Sequence, residues 1–170
     1  MAYELSGSIR TSISTFLIDT STDDEESASA AIKFSGPATT SFANGSGANQ
    51  ASGQYTANGT LADEAAVSFD FSGALTDVFG QTITWTKLKL LMISNEGTDS
   101  SLKITGNLWE NIAGNVSLSQ LDINPGSIYL QTWMDANGEA IVGAANDVIT
   151  LTHASDGDDP ITYRIIALGS

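Results

Sequence analysis

The sequence predicts an all-β protein: an antiparallel β-sandwich of jelly-roll-like form with an N-terminal β-hairpin or arm. Three observations predict it. Apolar and polar residues alternate in short runs, the period of a strand with one buried face. Clusters of Gly, Asn, Asp and Pro separate those runs at the spacing of hairpin turns. No stretch carries the sustained apolar spacing of an amphipathic helix, so the crossovers a parallel sheet needs have no candidate.

Residues 65–170 hold the clearest strands. Val67, Phe69 and Phe71 point one way, and Ser68, Asp70 and Ser72 the other. Residues 83–95 form a longer segment, with Leu88, Leu90 and Met92 on one face and Lys87, Lys89, Leu91 and Ile93 on the other. Apolar residues on both faces at its end predict a central strand, or one covered by a neighbouring segment. Leu102 and Ile104 flank Lys103 in a short strand. Residues 128–133 follow the turn signal Asn124-Pro125-Gly126. Residues 148–152 are rich in β-branched side chains. Residues 161–168 set Ile161, Tyr163 and Ile165 against Thr162, Arg164 and Ile166. Turn clusters at 77–80, 95–99, 135–138 and 155–160 connect these runs. Two sheets packed face to face bury the alternating faces, and about eight short strands suit a jelly roll. An immunoglobulin-like topology is the alternative.

Residues 1–64 read differently. Tyr3, Leu5, Ile9 and residues 13–18 are strand-like, and residues 32–34 are a short apolar piece. Residues 19–29 hold Asp23-Asp24-Glu25-Glu26 and read as a solvated loop. Residues 44–59 are rich in Gly, Asn and Ala and poor in large apolar groups. Such a segment makes no core of its own. The expected organisation is therefore an arm over 1–64, which adds strands to the sandwich or packs on a neighbouring subunit, and a sandwich over 65–170.

Composition removes several functions. The chain has 170 residues, 20 acidic and 6 basic, for a net charge of −14. That charge repels nucleic acid and anionic membranes, so neither is an expected partner. There is no Cys, which removes disulfide scaffolds, thiolate zinc sites and a Cys nucleophile; His153 is the single His, which removes multi-His metal sites. The longest apolar run, residues 88–93, is interrupted by Lys89 and is too short to span a bilayer. The opening residues have no basic stretch followed by an apolar one, so the expectation is synthesis in the cytoplasm without a secretion signal.

Several strings occur in a particular order: Phe42-Ala-Asn-Gly-Ser-Gly-Ala-Asn-Gln50, Thr60-Leu-Ala62, Leu75-Thr-Asp-Val-Phe-Gly80, and Thr84-Trp-Thr-Lys-Leu-Lys89 running into Ile93-Ser-Asn95. Later come Pro125-Gly126, Asp147-Val-Ile149 and the closing Ile161-Thr-Tyr-Arg-Ile-Ile-Ala-Leu-Gly169. This order, over residues 40–170, resembles a family of small structural proteins of tailed bacteriophages. The resemblance implies a jelly-roll-like virion component without enzymatic activity, in first place an outer capsid decoration protein, and in second a tail or fibre part with a receptor- or glycan-binding role. It implies a homo-oligomer, with a trimer favoured, whose partner is the major capsid protein or another virion protein. The acidic stretch at 23–26 lies outside the family pattern.

Candidate residues follow from chemistry and from that resemblance. Ile13, Phe16, Leu17 and Ile18 concentrate apolar bulk, and read equally as an ordinary strand or as a segment docking on a partner edge. Phe42, Asn44 and Asn49 belong to the Gly-rich string, which reads either as a flexible surface loop or as one ordered by a neighbouring subunit. The string lacks the Lys and the strand-to-helix setting of a phosphate loop. Trp85, Trp109 and Trp133 could make a sugar-stacking platform. Trp85 and Trp133 lie in expected strands, whereas Trp109, in the connection at 107–111, is the one expected at the surface as an interface anchor. Asp156, Asp158 and Asp159 offer oxygen ligands around Gly157, so they are the calcium candidates, although a solvated acidic turn is the plainer reading. A dyad of His153 with Asp156 or Asp158 lacks a recognisable nucleophile nearby. No catalytic residue, metal or cofactor is therefore assigned.

Overall fold

The computed structural model describes residues 5, 7–10, 14–18, 29–33, 39–77, 79–114, 120–154 and 159–170, and of residues 7–40 only the backbone course. The strands are β1 (Gly7–Arg10), β2 (Ser14–Ile18), β3 (Ser29–Lys33), β4 (Thr39–Asn44), β5 (Gln50–Ala51), β6 (Gly53–Leu61), β7 (Ala66–Asp70), β8 (Lys87–Asn95) and β9 (Leu102–Thr105). One short helix, α1 (Asn107–Ile112), precedes β10 (Leu121–Ile123), β11 (Ile128–Thr132), β12 (Glu139–Ala140), β13 (Val148–His153) and β14 (Ile161–Gly169). The fold is all-β, as the alternation predicts.

The chain divides into a smaller unit, Ser6–Phe42, and a larger one built on Ala43–Ser170. In the smaller, β1 runs antiparallel to β4, and β2 and β3 form an antiparallel pair from Ser14↔Lys33 to Ile18↔Ser29. The side chains of Phe16, Leu17 and Ile18, and all of Ile13, Asp156 and Asp158, lie outside the described residues.

The larger unit is the sandwich. One sheet has the order β10-β9-β13-β7; the other has β11-β8-β14-β6, with β12 also pairing β8. These pairings are antiparallel. Phe69 and Leu151 from the first sheet meet Leu91, Ile93 and Ile165 from the second in one apolar cluster. The boundary of this unit lies well before residue 65, because β6 pairs β14 along its whole length, from Leu61↔Ile161 to Gly53↔Gly169.

The low hydrophobicity of 44–59 has a steric cause. A Cβ on Gly59 would stand 2.7 Å from the Tyr163 hydroxyl, and one on Gly53 would stand 2.6 Å from the Trp85 indole nitrogen. The strands need bare backbone there so that the large aromatic groups fit against them. Tyr55 supplies bulk between, edge-on to Phe69 at 5.9 Å and to Phe71 at 6.0 Å.

Three details depart from the sequence reading. Residues 107–112 are helical rather than a plain connection. A helix under two turns long is too short for its apolar period to stand out. The strand expected from 83 starts at Lys87, with Trp85 in the core just before it. Its faces also differ, because the β8–β14 register shifts between Leu90↔Leu168 and Leu88↔Gly169, leaving Lys89 as an extra residue. A bulge of one residue exchanges the two faces of a strand. Leu88 thus joins Leu91 and Ile93 in the core cluster, while Leu90 and Met92 stay on the other face.

Candidate functional site

The second sheet has an apolar row on the face turned away from that core. Register places Leu130, Met92 and Ile166 side by side across β11, β8 and β14, with Ile128, Ser94 and Arg164 in the next row. Leu90 and Leu168 behind them are buried, but Ile128 is 64% exposed and Leu130 is 38% exposed. β11 is also the edge of its sheet among the described residues, and its sequence Ile-Tyr-Leu-Gln-Thr contains neither charge nor proline. Open edges are commonly guarded by charge or proline, because their free N–H and C=O groups accept another strand. Arg164 is held by Glu96 at 3.2 Å, and no charged side chain stands in the row of Leu130, Met92 and Ile166.

The inward face of the same edge carries a polar cluster. Tyr129 donates to the Gln131 side-chain oxygen, and Asn111 of α1 donates to the Glu139 carboxylate. Trp109 meets the Tyr129 ring edge-on at 5.4 Å, and its indole N–H is buried without an acceptor among the described residues. Burial, with the Glu139 charge second, pushes the Tyr129 phenol up to about 12. Burial also raises the Glu139 carboxyl, outweighing the Asn111 hydrogen bond that favours its charged form. Tyr129 is thereby kept protonated as a donor. The other end of α1 ties to the first sheet, where the Asn107 side-chain oxygen accepts the N–H groups of Asp147 and Val148 at 3.0 and 2.7 Å. The helix therefore bridges the two sheets.

Asp147 is a second polar node. It is 4% exposed and accepts from Ala144 N–H at 2.6 Å, Ser72 Oγ at 2.8 Å and Asn107 Nδ2 at 3.1 Å. The Ala144 N–H leads the groups that hold its carboxyl below the usual range, against the opposing effect of burial. A carboxylate so fully served braces a turn and has little capacity left to take a proton from a substrate.

The Gly-rich string is ordered by this chain itself. Gly47 N–H donates to Gln50 Oε1 at 2.8 Å, and Asn49 N–H to the Met134 carbonyl at 2.8 Å. Lys89, fully buried at the bulge, donates to the carbonyls of Gly47 at 3.3 Å and Asp135 at 2.5 Å. Burial first, and Lys87 second, lower its pKa.

The predicted site residues are dispersed. Asn44 and Asn49 are exposed, and Asn44 Oδ1 accepts the Leu5 N–H at 3.4 Å. Phe42 is buried at 3% exposure and Trp109 at 5%, so neither offers surface to a partner. The expected exposure of Trp109 fails because α1 turns its indole inward onto Tyr129. The three indoles form no surface platform: Trp85 stacks in the core and Trp133 packs half-buried against it. His153 is buried, its ring nitrogens facing the carbonyls of Ala154 at 2.5 Å and Asp159 at 3.0 Å, with the Asp63 carboxylate at 3.6 Å. Asp159 is exposed, and no group of three or more acidic, His or Cys side chains suited to a metal ion occurs among the described residues. Among those residues, no helix is long and apolar enough to cross a membrane.

The geometry defines an all-β sandwich with an apolar sheet edge. No protein-family model matches the chain, and no curated protein is significantly similar to it. Among solved structures, a de novo designed double-stranded β-helix is 12% identical, with a TM-score of 0.34, over 66% of this chain and 97% of that one. A likeness that distant carries no argument here. The sequence reading missed Ile128, Leu130, Glu139 and Asp147. The available signal for the first two was an uncharged strand between turn clusters; for the others, the partners are far apart in the chain.

Proposed function

We propose that this protein is a structural component of a tailed-phage virion, bound to the outside of the capsid shell as a decoration protein. It acts as a homo-oligomer, a trimer, and performs no chemistry. Its mechanism is burial of surface at contacts between capsomers. The observation that carries the reading is the uncharged edge strand β11, with exposed Ile128 and Leu130 continuing into Met92 and Ile166. Such a strand suits strand addition and apolar contact with another protein. The ordered motifs over residues 40–170 supply the class of partner by resemblance. A net charge of −14 supports the outer side of the shell over a DNA-lined interior.

The test is size-exclusion chromatography with light scattering, on the protein alone and after mixing with bare capsids. The expected result is an oligomer that co-elutes with capsids at high copy number. Ile128→Asp together with Leu130→Asp should abolish co-elution while leaving the circular dichroism unchanged, since both side chains are exposed. Wild-type protein that ignores capsids overturns the proposal. A low copy number confined to tails would move the protein to the tail or fibre.

A further inference from the structure

His153, the single His of the chain, is buried at the end of β13, where three segments meet. Its backbone N–H donates to the Ala65 carbonyl at 2.9 Å, which ties in the turn after β6. The Ala154 N–H donates to the Ser101 carbonyl at 2.9 Å, just before β9. The ring itself is set between acceptors. Nδ1 stands 2.5 Å from the Ala154 carbonyl oxygen, and Nε2 stands 3.0 Å from that of Asp159, close to the start of β14. The carboxylate of Asp63, on the turn after β6, stands 3.6 Å from Nδ1. A carbonyl oxygen only accepts, and a neutral imidazole has one N–H. Either neutral tautomer would therefore turn one nitrogen lone pair onto a carbonyl oxygen in a buried place, and that carbonyl would lose the ring as a donor. The imidazolium has two N–H groups and serves both. Burial opposes its charge, whereas the Asp63 carboxylate and two charge-assisted hydrogen bonds favour it.

We propose that His153 is held as an imidazolium at neutral pH, with Asp63 as its counter-ion, and that its charge latches the turn after β6 and the segment before β14 onto the end of β13. Other charged groups on the neighbouring elements bear on it less. The side chains of Glu64, Asp99 and Asp159 are exposed. Lys103 follows the Leu102 that pairs with His153, so alternation puts it on the outer face of β9. Arg164 of β14 is held by Glu96 at 3.2 Å, and Asp156 and Asp158 lie outside the described residues. The latch works in one direction of pH. A histidine whose charge the fold favours contributes its full stability below the unfolded-chain value, about pH 6.5, and loses it as pH rises through the folded one. One carbonyl then loses its donor and the two segments loosen. None of these residues belongs to the β11 edge.

The test is NMR of the full chain, labelled with ¹⁵N. With one His, the imidazole gives a single set of long-range ¹H–¹⁵N correlations, to be followed from about pH 5 to about pH 9. The expected result is two protonated ring nitrogens that persist above about pH 6.5, the ordinary histidine value. As the ring titrates, protection from amide exchange should fall at Ala65 and Ile161. Asp63→Asn, at an exposed position, should move the midpoint down toward that ordinary value and carry the loss of protection with it. Two results overturn the proposal: a single protonated ring nitrogen at neutral pH, or a midpoint and protection that Asp63→Asn leaves unchanged. Capsid co-elution is read separately, so failure of either proposal leaves the other standing.

Discussion

The indole of Trp85 lies flat on the ring of Phe71, centroids 5.7 Å apart and planes 8° from parallel. Two glycines make room for that stack, since a Cβ on Gly53 or on Gly169 would overlap the indole at 2.6 or 2.3 Å. Gly169→Ala should therefore cost about 1–3 kcal/mol, seen as a lower urea midpoint and changed near-ultraviolet circular dichroism. Gly143→Ala, where the nearest atom stands at an ordinary 3.5 Å, is the control and should change little.

Asp147 should give the protein an acid limb. Its carboxyl is held low in the folded state by the Ala144 N–H and the Ser72 and Asn107 side chains. Its contribution is therefore complete above the unfolded-chain value, about pH 4, and is lost as pH falls through the lower folded value. Asp147→Asn should destabilise by about 1–3 kcal/mol at neutral pH and flatten the acid limb. Urea unfolding across pH reads both effects, and a variant with the wild-type pH profile would contradict the assignment.

Glu139 works in the opposite sense. Its folded-state pKa is raised, so its favourable contribution is full below the unfolded value and is lost as pH rises through the folded one. Glu139→Gln keeps an oxygen for Asn111 and carries no charge. It should gain stability over wild type at neutral pH and no longer lose stability through that window. It should also lower the Tyr129 pKa from about 12, since the Glu139 charge is one of its causes. Alkaline ultraviolet titration measures that shift.

Lys89 ties two loops with one ammonium. Lys89→Met keeps the stem but leaves the carbonyls of Gly47 and Asp135 without their donor. The expected cost is about 1–3 kcal/mol, with faster amide exchange at Gly47 and Asn49. Unchanged exchange there would mean that the Gln50 and Met134 contacts hold the loop alone.

The strands of the sandwich were largely legible in the sequence. β7, β9 and β14 lie within two residues of the runs that alternation marks, and β11 and β13 within two residues of those marked by a turn signal and by β-branched side chains. Alternation is a local record of one buried face, so it survives reading in one dimension. β6 was not legible, because its small side chains reflect the aromatic groups packed over it and its strand character comes from pairing with β14. Lys89 was misplaced for a related reason, since a bulge is a property of two strands in register and one strand alone does not encode it.

The sequence by itself determined the all-β class, most strand positions, the acidic charge and the absence of thiol chemistry. Only the tertiary structure decided which side chains meet. It turned Trp109 inward onto Tyr129, joined Asn111 to Glu139 across 28 positions, and brought Asp63 to His153. It also left Ile128 and Leu130 on an open edge. The physical reason is that burial periodicity is written along the chain, whereas hydrogen bonds, ion pairs and edges arise from pairings between segments far apart in it.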